Sequence, residues 1–243
     1  MKLKEKISIA EFDNKKFKIR IFEPSDNRKA VLTHYLHNYD NGIKKHYEKE
    51  AKKYLNEIVE YKNTEEDLSL VAEDALQQLL FEVKDVPFPT PQDYHFEFID
   101  LFAGIGGFRL ALQNLGGKCV YTSEWNNDAQ RTYKSNFGEV PFGDITSNIV
   151  KNYIPKKFEI LCAGFPCQAF SIAGYQKGFH DTRGTLFFDL EKIIETRRPK
   201  VVFLENVKNL VSHDGGNTFK IIIEILETKL QYKVFFKVLN SMT

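Results

Sequence analysis

Three side chains in the second half of the sequence have types and neighbours suited to chemistry. Cys167 follows a glycine and a rigid proline in Ala163-Gly164-Phe165-Pro166-Cys167-Gln168, just beyond an apolar, strand-like run. A thiolate beyond a strand terminus is a nucleophile, because loop or helix-end amides lower its pKa. The plainer alternative is a small buried hydrophobe, which suits Cys119 and Cys162 inside strand patterns. Glu205 ends the apolar run of VVFLENV, and it lies beside Cys167 if the two strands are neighbours. A carboxylate in such a place needs a partner or a task, and an ion pair is the competing explanation. Glu124 stands 20 residues after Gly104, at the end of the next strand-like segment. A carboxylate there can accept hydrogen bonds from both hydroxyls of a ribose.

The glycines of Asp100-Leu101-Phe102-Ala103-Gly104-Ile105-Gly106-Gly107 let the backbone turn sharply and approach a ligand, with a helix N-terminus aimed at it. A tight turn without a ligand is the alternative. Trp125 is suited to pack on an adenine face, unless it is core, and Asp144 in Gly143-Asp144-Ile145 to read the adenine amino group. A nucleoside cofactor, a thiol and an acid at one sheet edge suit addition to an electrophilic ring, which activates that ring to accept a methyl group. A nucleotide-dependent oxidoreductase is the weaker alternative, since hydride transfer needs no such Cys–Glu pair.

The elements that must position these residues alternate. Strand patterns cover 95–102, 118–123, 158–163, 200–205 and 232–239, with a weaker one before Gly143. Helical patterns cover 107–115, 129–137, 186–195 and 218–228. This predicts an α/β fold with a doubly wound, mostly parallel sheet, in which ligands bind beyond the carboxyl ends of the strands. Residues 1–85 read as an accessory region, with a hairpin around Asp13-Asn14-Lys15-Lys16, then helices within 32–83. One helix covers 44–61, and a second starts at the capping residue Thr64 and runs to about Val83. The lysines Lys44, Lys45, Lys49, Lys52 and Lys53 read as a solvated face in preference to a phosphate contact. The three prolines of VPFPTPQDY mark 86–94 as an extended linker, and 95–243 as the catalytic domain.

Composition narrows the classes further. With 243 residues, 42% hydrophobic and 28% charged, the chain can bury a sizeable core, and disordered, collagen-like and disulfide-scaffold classes are excluded. Lys plus Arg (34) nearly balance Asp plus Glu (33), so bulk charge does not mark a nucleic-acid binder, though a local patch remains compatible. No apolar run is long enough to span a bilayer, and the charged start is not a secretory signal. Three cysteines without CxxC spacing read as reduced thiols in a cytoplasmic protein, with no metal site.

DLFAGIGGFRLAL, SEWN, GDI, AGFPCQAFSIAG, DTRGTLFFDL and ENVKNLVSHDGGNTF resemble, in order, the successive motifs of bacterial DNA cytosine-5 methyltransferases of the HhaI and Dcm types. The resemblance covers about residues 95–240. It implies a Rossmann-like S-adenosylmethionine-dependent fold and double-stranded DNA as substrate. It implies that Phe102, Gly104, Gly106, Glu124, Trp125, Asp144, Ile145, Pro166 and Leu186 bind the cofactor. Cys167 then adds to C6 of a cytosine flipped out of the duplex, and Glu205 holds the ring at N3. Gln168, Ser171, Gln176, Lys177 and Arg183 fall on the family's mobile active-site loop, where basic and polar groups suit phosphate contact. The setting implied is restriction–modification or solitary marking of DNA. GFPCQAFSIAG resembles the DNA branch more than the branch acting on transfer RNA.

The sequence ends at VLNSMT, before the arginine motif, the target-recognition domain and the last antiparallel strand that the family pattern calls for. The expectation is that the chain alone does not methylate DNA sequence-specifically. A second polypeptide carrying the missing parts would complete a split enzyme; a truncated product, or a non-catalytic remnant binding S-adenosylmethionine or DNA, is the alternative.

Overall fold

The computed structural model describes residues 5–12, 15–22, 27–38, 42–61, 86–166 and 185–240. The expected helix from Thr64 lies outside them, as do Cys167, Gln168, Ser171, Gln176, Lys177 and Arg183. The chain forms two compact units, Met1–Glu159 and Ile160–Thr243.

In the first unit, β1 (Glu5–Phe12) and β2 (Lys15–Phe22) form the expected hairpin, in register from Glu5↔Phe22 to Phe12↔Lys15. Helices α1 (Asn27–His37) and α2 (Lys44–Ile58) follow. The helical pattern expected to reach residue 61 gives way at β3 (Val59–Tyr61), which pairs antiparallel with β2. Pairing with an existing strand satisfies its backbone groups as a last helical turn would not.

Next come β4 (Phe96–Leu101), α3 (Gly107–Asn114), β5 (Gly117–Ser123), α4 (Asn127–Phe137) and α5 (Asn148–Asn152). β4 and β5 are parallel, from Phe96↔Gly117 to Leu101↔Ser123, with one irregularity between Phe98 and Ile99. All seven residues of β5 are buried, as a parallel strand covered on both faces requires. Within this unit α1 and α2 seal β5. Tyr47 Oη donates to the Val120 carbonyl at 2.8 Å, the Thr122 amide donates to His34 Nε2 at 3.1 Å, and the Val140 amide donates to Thr33 Oγ1 at 3.0 Å.

The proline-rich stretch is held to the same unit. The Phe88 amide donates to the Asn136 carbonyl at 3.0 Å, and Gln113 Nε2 donates to the Pro89 carbonyl at 3.3 Å. Arg109, fully buried on α3, donates to Thr90 Oγ1 (3.1 Å), Tyr133 Oη (3.0 Å), Gln113 Oε1 (2.7 Å) and Glu139 Oε1 (2.7 Å). Its guanidinium also lies 4.7 Å from the centre of the Phe137 ring. Burial alone would raise the Glu139 pKa, but Arg109, His34 and His37 overcome it and hold the carboxyl below its usual value.

The second unit holds β6 (Ile160–Gly164) and β7 (Val201–Glu205), parallel from Ile160↔Val201 to Gly164↔Glu205, with α6 (Thr185–Arg197) between them in sequence. α7 (Asn217–Glu224) runs on into a wider turn at Ile225–Lys229. In each unit the two strands are parallel neighbours, β4 beside β5 and β6 beside β7, the α/β architecture expected from the alternating pattern.

The strand expected over 232–239 is absent: residues 231–240 have no regular structure. Alternating side chains define faces, but a strand also needs a neighbour for its backbone groups. Here the Tyr232 amide donates instead to the Leu226 carbonyl at 2.8 Å, and Tyr232 Oη to the Pro199 carbonyl at 2.6 Å. Among the described residues no helix is long and apolar enough to cross a membrane.

Candidate active site

The first unit builds a carboxylate cradle. β4 ends at Leu101, and Phe102 (φ 56°), Gly104 (φ 56°) and Gly106 (φ 98°) all take left-handed backbone angles. Gly106 has no alternative: a Cβ there would lie 2.1 Å from Phe137 Cε2. At Gly104 the space where a side chain would stand is open within 4 Å. The turn delivers the Gly104 amide to Glu124 Oε2 at 2.8 Å, and the Asn126 amide meets Oε1 at 2.8 Å.

Glu124 is only 7% exposed, and each of its oxygens already accepts one main-chain N–H. A carboxylate offers about four acceptor positions, so a fixed pair remains for a ligand. Its main chain is fixed as well. The Glu124 amide donates to the Phe142 carbonyl at 2.8 Å, and Gln130 Nε2 donates to the Glu124 carbonyl. Asn126 caps α4, accepting the amides of Asp128 and Ala129 at 3.0 Å each.

Trp125, next in sequence, leaves 72% of its surface exposed, so it is not core. The weak strand before Gly143 is a single parallel bridge, Ser123↔Phe142. It leads to exposed Asp144, whose Oδ1 accepts the Thr146 amide at 2.9 Å, and to buried Ile145. Asp100 is fully buried at the end of β4, with the Arg109 backbone amide facing its carboxyl group. Burial pushes its pKa up to about 7, with Glu124 and Glu139 adding and Arg109 opposing.

The second unit aligns the two strand ends that carry the other candidates. Gly164 and Glu205 are register partners, and Glu205 is exposed. Asn206 Nδ2 donates to the Phe165 carbonyl at 2.6 Å, and Asn206 Oδ1 accepts the Val207 amide at 2.9 Å. Phe165 is buried, 5.8 Å from the Phe187 ring, so Pro166, which is exposed, leaves from a fixed point. Leu186 is half-buried on α6. Cys119 and Cys162 are buried thiols outside any disulfide. Among the described residues no cluster of metal-ligating side chains occurs.

Sequence reasoning left Asp100, Asn126, Gln130 and Asn206 without roles. Asn126 had a signal, since an Asn directly before an acidic first turn is a capping pattern. Asn206 had none, because its partner is a backbone carbonyl 41 residues away.

The family model of the C-5 cytosine-specific DNA methylase matches residues 96–243. Over 168 residues the chain is 58% identical to Type II methyltransferase M.HpaII of Haemophilus parainfluenzae, covering 69% of this chain and 46% of that protein. It is 57% identical to M.HhaI of Haemophilus parahaemolyticus over 145 residues, covering 60% and 43%, respectively. With M.HaeII of Haemophilus aegyptius the identity is 56% over 147 residues, covering 60% and 45%. The chain therefore spans less than half the length of these relatives.

Proposed function

The chain belongs to the C-5 cytosine-specific DNA methylase family, and on that premise we propose that it carries the cofactor-binding and base-activating part of a DNA cytosine-5 methyltransferase. The observation that carries the proposal is the preset Glu124 carboxylate, fixed by the Gly104 and Asn126 amides at 2.8 Å each.

The cofactor proposed is S-adenosylmethionine, and the residues fit it. Glu124 keeps acceptors for two ribose hydroxyls, the exposed indole of Trp125 offers a face for adenine, and Asp144 and Ile145 sit on the loop after the Phe142 bridge. The buried Asp100 carboxyl, two residues before Phe102, suits a ligand bearing positive charge. Phe102, Gly104 and Gly106 would shape the turn, with Pro166 and Leu186 as further pocket residues. When bound, the cofactor supplies an electrophilic methyl group.

The remaining chemistry belongs to the chain's own groups. The Cys167 thiolate would add to C6 of a cytosine taken out of the duplex, because an enzyme cannot reach a stacked base. Glu205 would hold the ring at N3 and ease that addition. Gln168, Ser171, Gln176, Lys177 and Arg183 would contact DNA phosphates and cover the base. Asn206 fixes the Phe165 carbonyl, two residues before the nucleophile.

Restriction–modification in the cytoplasm is the proposed setting, with double-stranded DNA as substrate. A second polypeptide would supply target recognition. Support for a partner comes from apolar side chains exposed in the second unit: Phe235 is 81% exposed, Phe236 66% and Leu239 77%. The test is transfer of tritium from labelled S-adenosylmethionine to duplex DNA. The chain co-expressed with the C-terminal half of M.HpaII is expected to label DNA, and the chain alone is not. No labelling by the pair, with both polypeptides folded, would overturn the proposal.

A further inference from the structure

The N-terminal helix α1 reaches the backbone that carries the ribose-binding candidate. His34 is fully buried, and its Nε2 accepts the Thr122 amide at 3.1 Å. Its Nδ1 therefore carries the proton and donates to the Ala30 carbonyl at 2.8 Å. The Thr122 carbonyl accepts the Phe142 amide at 2.9 Å, and the Phe142 carbonyl accepts the Glu124 amide at 2.8 Å. An unbroken series of hydrogen bonds thus runs from His34 through Thr122 and Phe142 to Glu124.

Aromatic packing follows the same line. The His34 ring lies 4.6 Å from the Phe142 ring and 5.9 Å from the Tyr121 ring, and Phe142 stacks on Tyr121 at 5.0 Å. Phe142 immediately precedes Gly143-Asp144-Ile145. One imidazole therefore braces both backbone segments that carry cofactor-binding candidates, the end of β5 and the Asp144 loop.

We propose that His34 is a positioning residue for the cofactor, acting through Thr122 and Phe142 on Glu124 and the Asp144 loop, and that α1 is thereby part of the binding machinery. This rests on the reading of Glu124 as a cofactor carboxylate. Without an acceptor in place of Nε2, the Thr122 amide is left buried and unpaired, and β5 must shift to regain a partner. A shift of tenths of an ångström at Glu124 changes how its two remaining acceptors meet a ribose.

The experiment measures S-adenosylhomocysteine affinity by calorimetry on the full chain, with thermal unfolding recorded separately. His34→Leu removes the acceptor, whereas His34→Gln keeps an amide oxygen at the position of Nε2. Tyr47→Phe removes the bond to Val120 at the same packed surface, remote from Glu124 in the hydrogen-bond series. His34→Leu is expected to weaken binding about tenfold, the worth of one lost hydrogen bond to a buried amide. His34→Gln is expected within about threefold of wild type, and Tyr47→Phe to lower the unfolding temperature with affinity unchanged. If His34→Leu does not fold, His34→Asn withdraws the acceptor while staying polar and takes its place.

Coupling is the readout that a merely structural role would not move. His34→Leu combined with Glu124→Gln is expected to weaken binding by less than the product of the two single effects. Wild-type affinity in the His34 variant, or strictly multiplicative effects, would overturn the proposal. Failure of the wild-type chain to bind S-adenosylhomocysteine would overturn the cofactor reading, and with it this inference.

Discussion

The Asn206 side chain donates to the main-chain carbonyl of Phe165 at 2.6 Å, joining the loop after β6 to the loop after β7. The strand ends it joins are already in register at Gly164↔Glu205. The bond therefore fixes where the chain departs towards Cys167 relative to the glutamate. Asn206→Ala is expected to lower the methylation rate of the complemented enzyme by about 10–100-fold, with S-adenosylhomocysteine affinity unchanged. Single-turnover kinetics beside calorimetry separates the two. Equal losses in rate and affinity would assign Asn206 a general structural role.

Glu124→Ala removes a carboxylate that Gly104 and Asn126 hold by their amides. Charge-assisted hydrogen bonds contribute about 1.5–3 kcal/mol each, so affinity for S-adenosylhomocysteine is expected to fall at least tenfold. Unchanged affinity on calorimetric titration would remove Glu124 from the site.

Gly106→Ala combines a left-handed backbone (φ 98°) with a Cβ placed 2.1 Å from Phe137 Cε2. Backbone strain and overpacking together are expected to cost about 2–5 kcal/mol. Urea unfolding of the full chain reads this directly. A loss below about 0.5 kcal/mol would mean the turn relaxes without cost.

Stability is expected to fall as pH drops from about 6.5 to about 4.5. Burial holds His37 down at about 3, with Arg109, His34 and Lys118 adding and Glu139 opposing. Burial also lowers His34, with Arg109 and His46 adding while Glu139 and the Ala30 carbonyl oppose. Both titrate near 6.5 once unfolded, so below that pH the unfolded chain binds more protons and is favoured. Asp100, raised to about 7, keeps its proton only in the folded chain across this window and acts in the other direction. The two histidines outweigh Asp100 through the middle of this window, where the fall is expected to be steepest, while Glu97, raised by burial and by Glu159, joins Asp100 near its lower end. Urea midpoints at successive pH values check this, and His34→Gln is expected to flatten the profile. A wild-type profile already flat would contradict it.

The alternation of strands and helices in residues 95–230 was legible because parallel strands are short apolar runs and each helix between them carries one apolar face. The glycine turn, Glu124 and Glu205 stand out in the sequence as site candidates because ligands gather at strand ends, and the structure places all three just at or after strand ends. The segment 232–239 misled, since its alternation shows faces but not whether a neighbouring strand is present to pair with it. His34 and Asn206 were hidden for a related reason. Each meets a backbone group far away in sequence, Thr122 at 88 residues and Phe165 at 41, and no local pattern encodes such a contact.

Cys167 is proposed to add covalently to C6 of cytosine with S-adenosylmethionine bound. The direct measurement incubates the chain, with the C-terminal half of M.HpaII and S-adenosylmethionine, on a duplex carrying 5-fluorocytosine at the target. Fluorine at C5 blocks release after methyl transfer, so a denaturation-resistant protein–DNA adduct is expected, which Cys167→Ser abolishes. No adduct, from a complex shown to bind both S-adenosylhomocysteine and duplex DNA, would contradict it.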